Sequence, residues 1–297
     1  MSISFDDILN TYQSAANGLW RTITHPIAHG KLNLFYFLIV ISLLVWVLEI
    51  AMPWRKNQKA IRKDFWLDTF YMFFNFFLYR VVFFAAFVKL IYAGFLFVLT
   101  KFGYSEGSHL IDLSQLNWVL QLVIFFFVAD FIQWGVHVVL HRVPFFWKFH
   151  KVHHSVKEMG FAAHLRYHFL ETFAYEPMKY VGLSLIFGFD LQNAFIVYYL
   201  TVLIGHLNHA NLGWDYGVLK YFFNNPKMHI WHHAKHLPES HPHGMNFGIS
   251  LSIWDYIFKT NYIPVQGKKE IDYSNTDSFV IFMCVEGNAT ISIFGNK

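Results

Sequence analysis

The feature that most constrains this chain is the run at residues 34–52, 19 residues (LFYFLIVISLLVWVLEIAM) carrying one charge, Glu49, near their end. A hydrocarbon core takes about 20 helical residues to cross, so this run is long enough to span a bilayer. Pro53 follows, and then Arg55, Lys56, Lys59, Arg62 and Lys63. A basic cluster in a short loop of this kind favours the cytoplasmic side. Composition agrees: 55% of the 297 residues are hydrophobic and 14% charged, against about a quarter charged in soluble domains. The same balance excludes a disordered chain and a coiled coil. A single cysteine, Cys284, leaves no intramolecular disulfide and no Cys-rich metal site. The net charge of +4 is dispersed among apolar runs, so no nucleic-acid partner is expected.

Residues 1–30 are mixed and polar and show no signal-peptide pattern. Residues 65–100 form a second apolar stretch. As one continuous helix it would measure about 50 Å, so it is either one tilted span or a hairpin. Residues 101–116 read as a polar loop, and a further span follows at 118–139 with Asp130 and Gln133 inside it. Residues 173–205 are apolar but broken at Gly188-Phe189-Asp190, the mark of two short helices that dip in and return. Parity chooses between the options for 65–100. A single crossing returns the 118–139 span to the cytoplasm and delivers Arg142, Lys148, Lys151, Lys157 and Arg166 to the side of the first basic cluster.

The expected fold is an all-α membrane protein. Three long transmembrane helices plus a broken helical hairpin are capped by a cytosolic, helical, histidine-rich catalytic region. The divisions fall at 1–33 (N-terminal segment), 34–139 (transmembrane helices), 140–264 (catalytic region including the membrane hairpin 173–205) and 265–297 (a tail). Within the tail, residues 278–294 place a Glu-Gly-Asn turn signal between two β-prone runs.

Fifteen of the 18 histidines lie between His137 and His243. His137-x-x-x-His141 sits at the end of the third span, and an i, i+4 pair shares a helical face and can grip one ion. His150-x-x-His153-His154 follows, and the pattern returns as His229-x-x-His232-His233. On a helix the i and i+3 positions share a face and i+4 lies beside it, so one such segment reaches two ions. His164-x-x-x-His168 and His206-x-x-His209 are looser pairs. Eight or more converging imidazoles exceed the four ligands of a tetrahedral zinc and suit two ions with open positions. Asp130, Glu158, Glu171 and Asp255, spread among them, are expected to accept from ring N–H groups.

Other histidines carry blander readings. His25-x-x-x-His29 has the spacing of the first motif but precedes the first span and should face the other side. His109 reads as solvated surface, and His236, His241 and His243 as loop. The Phe125–Phe127 run, Phe145, Phe146 and Trp147 read as lipid-facing and interfacial surface.

The run Asp130-Phe131, His137-x-x-x-His141-Arg142-x-Pro144-x-x-Trp147-x-x-His150-Lys151-x-His153-His154-Ser155 resembles the signature of the fatty acid hydroxylase and sterol desaturase superfamily. The later run His209-Ala210-Asn211, Pro226-x-x-His229-x-x-His232-His233, Asn246-Phe247-Gly248 and Trp254-Asp255-x-x-Phe258-x-Thr260 resembles its second half, in the same order. Two positions depart from the family pattern. Val138 stands where Arg is usual, and Lys259 stands in a Phe-Gly-Thr ending.

The resemblance implies an integral membrane, non-haem di-iron oxygenase that hydroxylates or desaturates a lipid (sterol, fatty acyl or related), with its histidine cluster on the cytoplasmic face. It implies as ligands His137, His141, His150, His153, His154, His229, His232 and His233, with His209, His206 and His168 as further candidates. It implies two iron ions, which zinc could replace in a purified sample, and O2. No Gly-x-Gly-x-x-Gly fingerprint is present, so electrons should come from a separate donor such as a reductase, a ferredoxin or a b-type cytochrome. Metal should be lost as pH falls through the histidine range. The competing reading is a membrane metal carrier or sensor without oxygenase activity.

Overall fold

The computed structural model describes residues 5–263 apart from 29–30, 76–84, 106–108, 110, 177–178, 180–182, 189–190 and 236. The β-prone tail at 278–294, His29 and His236 therefore lie outside the described residues. The regular elements of the described chain are helices, apart from one ladder of two-residue strands, β1 (Ile27–Ala28) and β2 (Lys31–Leu32).

The N-terminal segment, read from sequence only as mixed and polar, forms α1 (Phe5–Thr24). Asp6 and Asp7 in its first turn and Arg21 in its last suit the helix dipole. α2 (Leu34–Ala51) begins at Asn33, whose Oδ1 accepts from the N–H groups of Phe35 (3.0 Å) and Tyr36 (3.3 Å). Leu38, Ser42, Val45 and Glu49 form its buried stripe, while Val40, Leu43, Leu44, Val47 and Ile50 face outward. α5 (Trp118–Arg142) is capped in the same way by Asn117, which accepts from Leu120 N–H at 2.9 Å.

α2 and α5 are the two described helices long and apolar enough to cross a bilayer, and only 28% of the most apolar 18-residue stretch of each is buried. Their remaining apolar surface faces outward, where water would leave it poorly solvated. They are the candidate membrane spans among the described residues. The third long span expected at 65–100 is described as α3 (Phe65–Phe73) and α4 (Ala85–Thr100), nine and 16 residues. Each alone falls short of a full crossing, and the link at 76–84 lies outside the described residues.

The apolar stretch at 173–205 is broken where the glycine signal placed the break. α7 (Leu170–Glu176) and α8 (Leu183–Phe187) precede Gly188, at φ +66°, and α9 (Leu191–His209) follows. α5, α8 and α9 pack through Phe125, Ala129, Leu183 and Val197. Between α2 and α9 lies a 3-10 turn, Phe161–Leu165, whose Ala162 and Ala163 are fully buried. Their small side chains let the turn sit between the helices. Glu49, the only charge of the first apolar run, ties this assembly together. Its Oε1 accepts from the backbone N–H of Phe161 (2.8 Å) and of Asn211 (2.7 Å), holding the turn and the chain after α9 against α2. Three short helices complete the fold: α6 (Pro144–His150), α10 (Pro226–His232) and α11 (Ile253–Ile257). α6 and α10 start on proline, where the missing N–H costs nothing.

Candidate metal centre

Nine histidines gather into two groups. His137, His141, His150, His154 and His232 form the first; His153, His209, His229 and His233 form the second. Within each group the ligand atoms lie within 4.8 Å of one another. The two His-x-x-His-His segments are each split between the groups. His150 and His154 join the first group and His153 the second, whereas His229 and His233 join the second and His232 the first. The i, i+4 pair therefore shares a group and i+3 turns to the other, unlike the i, i+3 pairing expected from sequence. The reason is geometric: at 100° per residue, i+4 overshoots a full turn by about 40° while i+3 falls short by about 60°. In the first segment the step also leaves α6 and enters a 3-10 turn, His153–Ser155.

Each group is backed so that bare nitrogens face inward. In the first, His137 Nδ1 donates to the Phe247 carbonyl (2.7 Å), His232 Nδ1 to the Met245 carbonyl (2.8 Å) and His150 Nδ1 to Glu171 Oε2 (2.8 Å). A neutral ring that donates through Nδ1 has only a lone pair at Nε2. In the second, His153 Nδ1 donates to the Arg166 carbonyl (3.1 Å) and His209 Nδ1 to the Gly205 carbonyl (2.7 Å). Yet His209 Nε2 lies 3.1 Å from His153 Nε2 and 3.0 Å from His229 Nε2. His209 and His153 both donate through Nδ1, so their Nε2 lone pairs face each other, and a cation between them would relieve that contact. In the first group, His141 Nε2 and His232 Nε2 are buried without a hydrogen-bond partner. Both observations fit a metal ion in each group, and an all-imidazole donor set suits iron, zinc, copper or nickel. Burial first, and neighbouring imidazoles next, hold His153, His154, His229 and His233 well below the usual histidine pKa. Burial does the same for His232. Neutral rings are the form that binds metal.

Of the four acids expected behind the rings, only Glu171 is there. Asp130 instead accepts from Ser250 N–H (3.1 Å), Leu251 N–H (3.3 Å) and Trp254 Nε1 (2.9 Å). Asp255 accepts from Phe247 N–H (2.9 Å), Gly248 N–H (2.8 Å), Trp134 Nε1 (3.1 Å) and Thr260 Oγ1 (2.6 Å). Both act one step further back, fixing the loop whose Phe247 carbonyl meets His137. Glu158 Oε2 takes the Lys63 N–H, away from the rings. The Asn246-Phe247-Gly248 motif has its reason in the same loop. Asn246, at φ +53°, donates to the Met228 and Tyr262 carbonyls, and any Cβ at Gly248 would collide with the Leu251 carbonyl oxygen.

His168 and His206 join neither group. His168 packs on Phe149, and its Nδ1 accepts from Leu170 N–H at 3.2 Å. His206 bonds His164 (Nδ1 to Nδ1, 2.8 Å) and Ser42 Oγ (3.1 Å). His25 and His109 are exposed, and His241 and His243 are half-buried in a loop outside both groups. Arg166, which the sequence places only among the basic residues on one side of the membrane, takes part in the site. Its carbonyl backs His153, while its buried guanidinium bonds Asp68 Oδ1 (3.1 Å) and Ser155 Oγ (2.8 Å).

A cavity of about 100 Å³ adjoins both groups. It touches His137 and His150 of the first and His153 and His209 of the second, and Glu171, Thr172 and Lys179 line it as well.

Comparison with known proteins fits this geometry. The fatty acid hydroxylase family model matches residues 122–260, which contain all nine grouped histidines. An ornithine lipid hydroxylase of Rhizobium tropici is 32% identical over 151 residues, 51% of this chain and 44% of that protein. An alkylglycerol monooxygenase of Xenopus tropicalis is 26% identical over 149 residues, 48% of this chain and 30% of that protein. A very-long-chain aldehyde decarbonylase of Oryza sativa subsp. japonica is 25% identical over 166 residues, 54% of this chain and 51% of that protein. The chain thus spans about a third to a half of the length of these relatives. No solved structure matches it. Through the matched region, with its two histidine groups and the loop that backs them, the chain is similar to the fatty acid hydroxylase family.

Proposed function

We propose that this chain is a membrane di-iron oxygenase acting on a C–H bond of a lipid. The observation that carries the reading is the pair of neighbouring all-imidazole groups on one cavity wall. The proposed ligands are His137, His141, His150, His154 and His232 for one ion, and His153, His209, His229 and His233 for the other. His168 and His206 fall outside the set. When bound, the iron pair supplies the reduction of O2 and the removal of hydrogen from carbon, for which side chains alone have no chemistry. Hydroxylation balances as R–H, O2, two electrons and two protons giving R–OH and water. Desaturation takes the same inputs, removes two hydrogens from neighbouring carbons and gives an alkene and two waters.

The chain's own residues bind and orient. The Phe247, Met245, Arg166 and Gly205 carbonyls and Glu171 fix ring orientation and keep Nε2 free of its proton. Burial of the rings excludes water from the centre. The named lipid hydroxylase and monooxygenase relatives support a lipid substrate. The basic residues Arg142, Lys148, Lys151 and Lys157 beside the rings support a cytoplasmic placement, where a separate reductase, ferredoxin or b-type cytochrome would deliver electrons.

The test is metal analysis of the purified chain together with oxygen uptake under supplied electrons and lipid mass spectrometry. About two ions per chain and a lipid gaining one oxygen or losing two hydrogens are expected. Absence of metal overturns the reading, and reversible metal binding with no oxygen uptake points to a carrier or sensor.

A further inference from the structure

The cavity beside the histidine groups holds polar atoms that the chain itself does not satisfy. Glu171 is 3% exposed; its Oε2 accepts from His150 Nδ1, while its Oε1 is buried without a hydrogen-bond partner. Thr172 is 7% exposed, and its Oγ1 is likewise buried without a partner. Native folds seldom keep such atoms without cause, and these two belong to adjacent residues lining one cavity. Lys179, which donates to Gln133 Oε1 at 2.9 Å, lines it too. An alkyl tail would leave the Glu171 and Thr172 oxygens unsatisfied.

We infer that this cavity receives the polar end of the lipid, with N–H or O–H donors bonding Glu171 Oε1 and Thr172 Oγ1. The C–H bond brought to the histidine groups then lies in or beside the headgroup. The chemistry rests on the oxygenase reading, taken here as hydroxylation: O2, two electrons and two protons in, an alcohol and water out. The binding does not depend on that reading.

The test uses the metal-loaded full chain in detergent and three lipids with identical acyl chains. Phosphatidylethanolamine offers N–H donors, diacylglycerol offers an O–H, and the choline of phosphatidylcholine offers neither. At least one donor lipid should bind tenfold or more tightly than phosphatidylcholine, and which one does so separates ammonium from hydroxyl recognition. That gap should shrink to within twofold in Glu171→Gln, which keeps an acceptor for His150, and in Thr172→Val, each checked for unchanged metal content. Equal binding of all three lipids, or a gap that survives both substitutions, overturns the inference. So does a product whose added oxygen sits in the tail by tandem mass spectrometry, although the oxygenase reading then stands. A headgroup gap without oxygen uptake has the opposite meaning: the oxygenase reading falls and the headgroup cavity remains.

Discussion

The two histidine groups look alike in their donors and differ in what stands behind them. The first draws five rings from α5, α6, the 3-10 turn at His153–Ser155 and α10, and one of its rings leans on a carboxylate, Glu171. The second draws four rings, and the backing described for His153 and His209 is main-chain carbonyl. A side chain can be exchanged without moving the backbone, whereas a carbonyl is set by the fold. The first site is therefore open to tuning by single substitutions, and the second is tied to the integrity of α9 and of the chain around Arg166. The groups also touch. The His154 and His233 rings stack at a 4.3 Å centroid distance, which places the two sites side by side.

The largest effects should come from the rings. His232→Ala should empty the first group and His229→Ala the second, each lowering metal from about two ions per chain to about one. Oxygen uptake should fall more than about 100-fold, beyond the range seen for outer partners. Loss of both ions from either single substitution would show that the sites are not separable. Glu171→Ala should weaken metal at the first group by about 10- to 100-fold and spare the second. Chelator competition would resolve the two, and equal weakening at both would erase the contrast drawn above.

Asp255→Ala removes a buried acceptor of four hydrogen bonds. It should cost on the order of 3 kcal/mol in thermal or chemical denaturation and loosen the loop behind the first group. The pH dependence follows from the lowered ring pKa values. A histidine whose folded pKa lies below the unfolded value of about 6.5 stabilises the fold fully above that pH. The contribution is lost as pH falls from there toward the folded value. Metal-free protein should accordingly lose stability below about pH 6.5. Metal retention, measured against pH, should persist below the range in which free histidine protonates, lower than sequence alone led one to expect. The smallest effect belongs to Lys259, at φ +57°. A lysine there is strained where glycine is not, which gives the usual Phe-Gly-Thr ending its physical reason. Lys259→Gly should stabilise by about 1 kcal/mol.

Much of the fold was legible because its signals are local. Two spans follow from length and apolarity, and the break before α9 from Gly188. α1 escaped notice because its apolar residues are interleaved with polar ones and no long run announces it. In the candidate site, the repeated His-x-x-His-His marked the grouped rings, but the same kind of spacing marked His25, which is exposed beside Thr24. A His-x-x-x-His pair states only that two rings share a helix face. What lies opposite that face is supplied by residues tens of positions away, and no local pattern encodes it.

The sequence by itself determined that apolar helices would carry the chain into a bilayer and that imidazoles would provide its donors. Both follow from residue type and short-range spacing. Only the tertiary structure decided how the rings divide into five and four. It alone decided that Asp130 and Asp255 hold a loop while Glu171 holds a ring, and that a cavity adjoins both groups. Those outcomes depend on which backbone carbonyls and side chains meet across long separations, such as His137 with Phe247, and only packing settles such meetings.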